Sequence, residues 1–210
     1  MPKKWSTPRG ATPQQFRKDP ATQGILDTAY SLQKAGNLQQ AELLYQKVLA
    51  AEPGNPFAIY ALGSIALFRG DQAGAVPLLR HALAAGYEGE NVYTQLGIAL
   101  QSMGRAEEAM EVYQAGIKKD PRNPRYPSNV SVLLAQKGDF EGALQMAQHA
   151  LKLNPKFAPA CMNAGFHLQS LGRLVQAAEM FERAARLQPH NTEVREALEQ
   201  LKKKLATQAV

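Results

Sequence analysis

The chain has 210 residues, 45% of them hydrophobic, a single cysteine and a formal net charge of +6. No run of about 18 uncharged apolar residues occurs, and the first 20 residues hold no apolar stretch fit for a signal-peptide core, so a soluble cytoplasmic protein is expected. Cys161, being alone, excludes an intramolecular disulfide and is expected to serve in packing.

Residues 1–20, MPKKWSTPRGATPQQFRKDP, contain four prolines, no helical periodicity and only two large apolar side chains, Trp5 and Phe16. They read as a flexible basic arm, in which Lys3, Lys4, Arg9, Arg17 and Lys18 against Asp19 account for +4 of the net charge. A further +1 falls in residues 192–210, so the middle of the chain is close to neutral.

Beyond the arm a period takes over. Gly36, Gly70, Gly104, Gly138 and Gly172 stand 34 residues apart, and so do Ala41, Ala75, Ala109, Ala143 and Ala177. A spacing kept without one insertion means that each unit meets its neighbours through the same packing, where an extra residue would turn the next helix off its contacts. The units run 22–55, 56–89, 90–123, 124–157 and 158–191 within a repeat region of 21–191. Each has two apolar helical stretches, an A helix and a B helix, around a glycine turn.

The third unit shows the pattern. Tyr93, Leu96, Gly97 and Leu100 recur at helical spacing before Gly104, and Ala109, Val112, Tyr113 and Ile117 after it. Gly104 can end the first helix in a left-handed conformation, and Pro121 prevents the second from being continued. Small residues are required where the A and B helices come closest: Ala29, Gly63, Gly97, Ser131 and Gly165 are expected to face the five periodic alanines.

Three places depart from the period. Tyr87 stands where the other units have proline, so that junction is expected to turn through Gly86 and Gly89. Pro127 replaces an apolar side chain in the first turn of its helix, either as a harmless late start or as a functional bend. Pro77 falls early in a B helix, where a mild kink is expected. From Thr192 a closing helix puts Val194, Leu198, Leu201 and Leu205 on one stripe, which suits a cap over the fifth unit. Lys202, Lys203 and Lys204 are then solvated charges, open to an acidic partner.

Together these residues resemble the tetratricopeptide repeat family over about 170 residues. Leu62-Gly63 and Leu96-Gly97 match its early Leu-Gly, Tyr45, Tyr113 and Phe181 its aromatic, and Pro53, Pro121, Pro155 and Pro189 its closing proline. The resemblance implies an all-α fold, a right-handed α-solenoid of stacked helix-turn-helix repeats, with a concave groove lined by A helices that receives an extended peptide or a helix. Projected onto this chain, the groove takes Tyr30, Phe57, Tyr60, Phe68, Gln95, Ile98, Asn129, Val132, Met162, Asn163 and Phe166, with Leu26, Ser64 and Thr94 beside them. Gln95, Asn129 and Asn163 stand 34 apart. They form either an amide ladder for a ligand's main chain or a set of bonds between neighbouring helices. The Lys, Asn and Arg clamp of the chaperone-binding subclass is missing from the corresponding places, which hold Leu26, Tyr30, Ala61, Asn91 and Gln95, so chaperone tails are not expected ligands.

No catalytic pattern stands out. His81, His149, His167 and His190 have no metal spacing and read as surface imidazoles, and there is no phosphate loop after a strand, no nucleophile elbow and no carboxylate pair with an evident pocket. The expectation is therefore a scaffold or adaptor without enzyme activity, cofactor or metal. Its groove takes a segment of a partner protein and helps assemble a multiprotein complex, and a homo-oligomer is compatible with this. The alternatives are a substrate-docking subunit of a transferase, or an assembly factor of a bacterial secretion or pilus system. Nucleic-acid binding is disfavoured, because no row of Lys or Arg follows the groove. The arm either tethers the protein to an acidic surface, fills a neighbour's groove through Trp5 and Phe16, or stays unbound.

Overall fold

The computed structural model describes residues 20–89 and 91–208; the expected arm lies outside them except for Pro20. Eleven α-helices and no strands are found among the described residues: α1 Pro20–Lys34, α2 Leu38–Ala51, α3 Pro56–Phe68, α4 Gln72–Ala84, α5 Val92–Ser102, α6 Ala106–Lys119, α7 Arg125–Gln136, α8 Phe140–Leu153, α9 Ala158–Ser170, α10 Leu174–Leu187 and α11 Thr192–Gln208. The first helix begins at Pro20, two residues before the first 34-residue unit, because proline suits a first turn whose N–H has no partner anyway. The chain divides into two compact units, residues 1–112 and 113–210, with the division inside α6.

In unit 1 the hairpins α1/α2 and α3/α4 stack, and α5 packs on α3 and α4. In unit 2 the hairpins α7/α8 and α9/α10 stack and α11 closes against α10. These are the stacked helix pairs of an all-α solenoid fold. Every turn glycine of the period takes a positive φ: Gly36 85°, Gly70 82°, Gly104 74°, Gly138 83° and Gly172 74°. The reversal also satisfies the last carbonyls, as where the N–H of Gly104 reaches Gln101 and that of Arg105 reaches Leu100.

The periodic alanines are all fully buried. Opposite them the fit depends on the residue four places on in the B helix. A Cβ on Gly63 would lie 3.0 Å from the Leu79 side chain, and one on Gly165 only 2.6 Å from the Phe181 ring. The fourth repeat reverses the volumes, with Ser131 on α7 and Ala147 at the aromatic place of α8, both buried. Gly116 on α6 likewise makes room for the ring of Tyr126, 2.8 Å from where a Cβ would stand.

At the irregular junction only Gly86 has a positive φ, 85°. Gly89 contributes by its size, since a Cβ there would run into the Tyr87 ring. Pro77 sits inside α4, and Pro127 in the first turn of α7, which starts at Arg125. The stripe of α11 joins the apolar cluster of Leu168, Ala177, Phe181 and Ala184 through Val194 and Leu201, with Leu198 and Leu205 at its edge. Lys202 is not merely solvated: it pairs with Glu182 at 2.7 Å.

Candidate peptide-binding faces

Each unit offers the inner face of its A helices: α1, α3 and α5 in unit 1, and α7 and α9 in unit 2. In unit 1 the structure brings three of the expected groove residues into one aromatic cluster. Tyr30, half-buried, lies edge-on to Phe57 with ring centres 5.7 Å apart, and the Lys34 ammonium stands 5.6 Å from the centre of its ring. Phe57 and Tyr60 are buried, at 2% and 6% exposure, and Leu26 beside them is buried too. Tyr60 stacks on Tyr87 at 4.1 Å and 13°, while Phe57 also meets Tyr45 and Tyr87.

Tyr87 thus does more than replace a proline. Its buried ring packs against Phe57 and Tyr60 of α3, which helps explain why both are covered. Burial pushes the hydroxyls of Tyr45, Tyr60 and Tyr87 well above the usual tyrosine range, so all three stay neutral. Tyr45 donates to Gln33 Oε1 at 2.7 Å. The Tyr60 hydroxyl lies among Ser64, Tyr87 and Gln95 with no well-formed hydrogen bond, and the buried Thr94 hydroxyl has none either.

Of the large apolar groove residues expected in unit 1, two stay exposed, Phe68 at 47% and Ile98 at 46%. Ser64 Oγ donates to Gln95 Oε1 at 2.7 Å, which sets α3 and α5 in register. One turn further along each helix come Phe68 and Ile98, so the two share a face.

In unit 2 Asn129, Val132, Met162 and Phe166 are half-buried, and Asn163 is buried at 9% exposure. Phe166 meets Phe181 edge-on at 4.9 Å. Asn163 Nδ2 donates to Ser128 O at 3.1 Å and lies 3.2 Å from Ser128 Oγ and 3.4 Å from Ser131 Oγ. Gln95 and Asn163 therefore each bond to a serine of the preceding A helix, which is the helix-to-helix reading of the amide series. Asn129 lies beside the buried Tyr113 hydroxyl, whose pKa burial raises.

His167 corrects the expectation of four surface imidazoles. It is 5% exposed and places Nε2 3.2 Å from Ser131 Oγ. The 34-residue register held the signal, because His167 falls in the column of Ile65, Ala99 and Leu133, all buried. His81 and His190 are exposed and His149 half-buried.

Burial lowers the pKa of His167, since the charged ring is disfavoured away from water. The unfolded chain then takes up a proton first as pH falls through about 6.5, and stability drops with a slope approaching about 1.4 kcal/mol per pH unit. Urea unfolding at pH 7.5 and 5.5 should show this loss, and H167Q should remove that share of it. An equal pH slope in the two proteins would contradict a neutral buried imidazole.

A family model described as tetratricopeptide repeat matches residues 26–89 and 94–158, and a second of the same description matches residues 134–201. No curated protein matches the chain. Among solved structures, YrrB, a tetratricopeptide repeat protein with an unusual peptide-binding site, is similar at 22% identity and TM-score 0.65, over 82% of this chain and 89% of that one. MamA is similar at 19% identity and TM-score 0.68, over 82% of this chain and 94% of that one. The first repeat domain of Spaghetti (RPAP3), bound to the HSP90 peptide SRMEEVD, is similar at 27% identity and TM-score 0.54, over 56% of this chain and 95% of that one. With glycine turns, buried alanines and stacked hairpins in place and a family model covering more than half of its length, the chain belongs to the tetratricopeptide repeat family.

Proposed function

We propose that this protein is a non-catalytic interaction scaffold that holds a peptide or helical segment of a partner protein against the inner faces of its A helices and so helps assemble a larger complex. The observation that carries this reading is the pair Phe68 and Ile98, large apolar side chains kept about half exposed on neighbouring A helices. Exposed apolar surface of this kind gains from being covered, and a segment laid across it buries apolar side chains of both partners. Relatives of this fold support it: YrrB has a peptide-binding site and the RPAP3 domain holds an HSP90 peptide. None of the described helices is long and apolar enough to cross a membrane.

A photo-crosslinking residue at position 98 tests the reading, with one at the exposed Gln46 on α2 as the control. A discrete adduct is expected from position 98 in the native cell, absent from position 46 and lost with F68S. Equal labelling from both positions would remove the inner face as the binding surface.

In unit 2, N129A with N163A is expected to weaken capture by that unit. Because Asn163 also ties α9 to α7, the pair should further cost about 1–2 kcal/mol of stability. Unchanged binding would retire the amides as ligand contacts.

A further inference from the structure

The near-neutral repeat region is an average of two opposite charges. Residues 20–112, the described part of unit 1 together with Glu90, carry nine acidic side chains against five basic ones, a net −4, whereas residues 113–210 carry fourteen basic against eight acidic, a net +6. Three of the five cations in the acidic stretch are already paired: Arg69 with Glu42 at 2.6 Å, and Arg80 and Arg105 both with Glu108. Unit 1 also holds four of the five large apolar side chains left exposed among the described residues, Leu43, Phe68, Ile98 and Met103, against Val175 alone in unit 2. Phe68 and Ile98 stand on α3 and α5, the helices that also carry Tyr60 and Thr94, whose buried hydroxyls make no well-formed hydrogen bond.

One segment of the chain matches this surface in both respects. Residues 1–19 have a net charge of +4 and two large apolar side chains, Trp5 and Phe16, and they are joined directly to α1 of the same unit. Nineteen residues span up to about 60 Å, whereas α1 is about 22 Å long, so the segment can reach along all three A helices of unit 1. A tether of that length holds it at an effective concentration on the order of millimolar, above that of any second copy at ordinary protein concentrations.

We propose that residues 1–19 dock within the same molecule on the A-helix face of unit 1, an apolar ring of the segment covering Phe68 and Ile98 and its cations lying in the acidic field of that unit. The face is the one read above as the partner's, so the segment acts as a built-in competitor that a partner must displace. Long-range attraction between such surface charges is screened beyond about 10 Å at 0.1 M salt, so docking weakens as salt is added.

Trp5 is the only tryptophan of the protein and reports on the docking directly. Acrylamide quenching of its fluorescence is measured in the full chain at micromolar concentration, beside a peptide of residues 1–19, with the mass followed by light scattering. The expected result is a monomer whose Trp5 is quenched at least threefold more slowly than the peptide's, with the protection reduced in 0.5 M salt and abolished by I98D. K3E with K4E, changed outside the described residues, should release Trp5 in the same way and stands in should I98D fail to keep the wild-type melting curve. Quenching equal to the peptide's would overturn the docking, as would protection that survives both variants. Protection found only alongside a dimer's mass would overturn it in favour of a second copy. An exposed Trp5 leaves the crosslinking test at position 98 as it stands, so failure of the docking and failure of the partner reading are told apart.

Discussion

Replacing Gly165 by alanine is expected to lower stability by about 1–3 kcal/mol, a large effect for one added methyl group. The new Cβ would stand 2.6 Å from Cε1 and 2.7 Å from Cδ1 of Phe181. That ring has nowhere to go, being fully buried and held edge-on by Phe166 at 4.9 Å. The strain should fall when the ring is shortened, as in the second repeat, where Gly63 faces Leu79 at 3.0 Å. G165A with F181L is therefore expected to cost less than the sum of the two single changes, by at least about 0.5 kcal/mol in a double-mutant cycle from urea unfolding. Additive losses would mean that the two side chains do not share the space assigned to them. Ala109→Phe follows the same logic and should lower the melting temperature far more than Gln114→Ala, since Ala109 is fully buried and Gln114 exposed.

Leu201→Ala is the second change with a large expected effect, a loss of about 2–5 kcal/mol, although it lies on α11, outside the five repeats. Leu201 is 1% exposed and sits with Val194 on the cluster of Leu168, Phe181 and Ala184. There it covers an apolar flank of the α9/α10 hairpin that would otherwise face water. Lys203→Ala on the same helix should stay within about 0.5 kcal/mol, and Lys202→Ala, which breaks an exposed ion pair with Glu182, within about 1 kcal/mol. Thermal unfolding of the three variants decides the matter, and comparable losses at positions 201 and 203 would rule out a capping helix.

The repeat itself could be read without a structure. Its parts are local: a glycine free to take a left-handed turn, an alanine or glycine where two helices touch, and apolar side chains at helical spacing. Each recurs every 34 residues, so five weak signals become one strong one. The resemblance built on them named the fold, and the closing stripe of α11 could be recognised because an amphipathic helix after the last unit has one apolar surface to cover.

The inner faces were harder to read, because which side chains a groove offers depends on what their neighbours leave uncovered. Projection put Phe57 and Tyr60 with Phe68 and Ile98, yet the first two are buried and the second two exposed. The difference comes from Tyr87, whose ring reaches across to stack on Tyr60, and no helical wheel of α3 contains it. Gln95 and Asn163 look like ladder rungs by spacing, but whether an amide bonds to a ligand or to the serine beside it depends on distances of 2.7–3.4 Å between helices. His167 was misplaced for a related reason, since a lone imidazole is polar by composition and its burial comes from the column it occupies.

The period, the hairpin, the turn residues and the amphipathic closing helix are legible in the chain alone, since all of them rest on backbone conformation and contacts within one repeat or with the next. It took the packing of several helices to show which side chains remain exposed, which polar groups bond to one another, and that apolar exposure gathers in unit 1, whose boundary shows the near-neutral repeats to be an acidic stretch followed by a basic one. Those properties belong to surfaces assembled from several helices, and burial there follows from the three-dimensional neighbours of a side chain and not from its own position in the repeat.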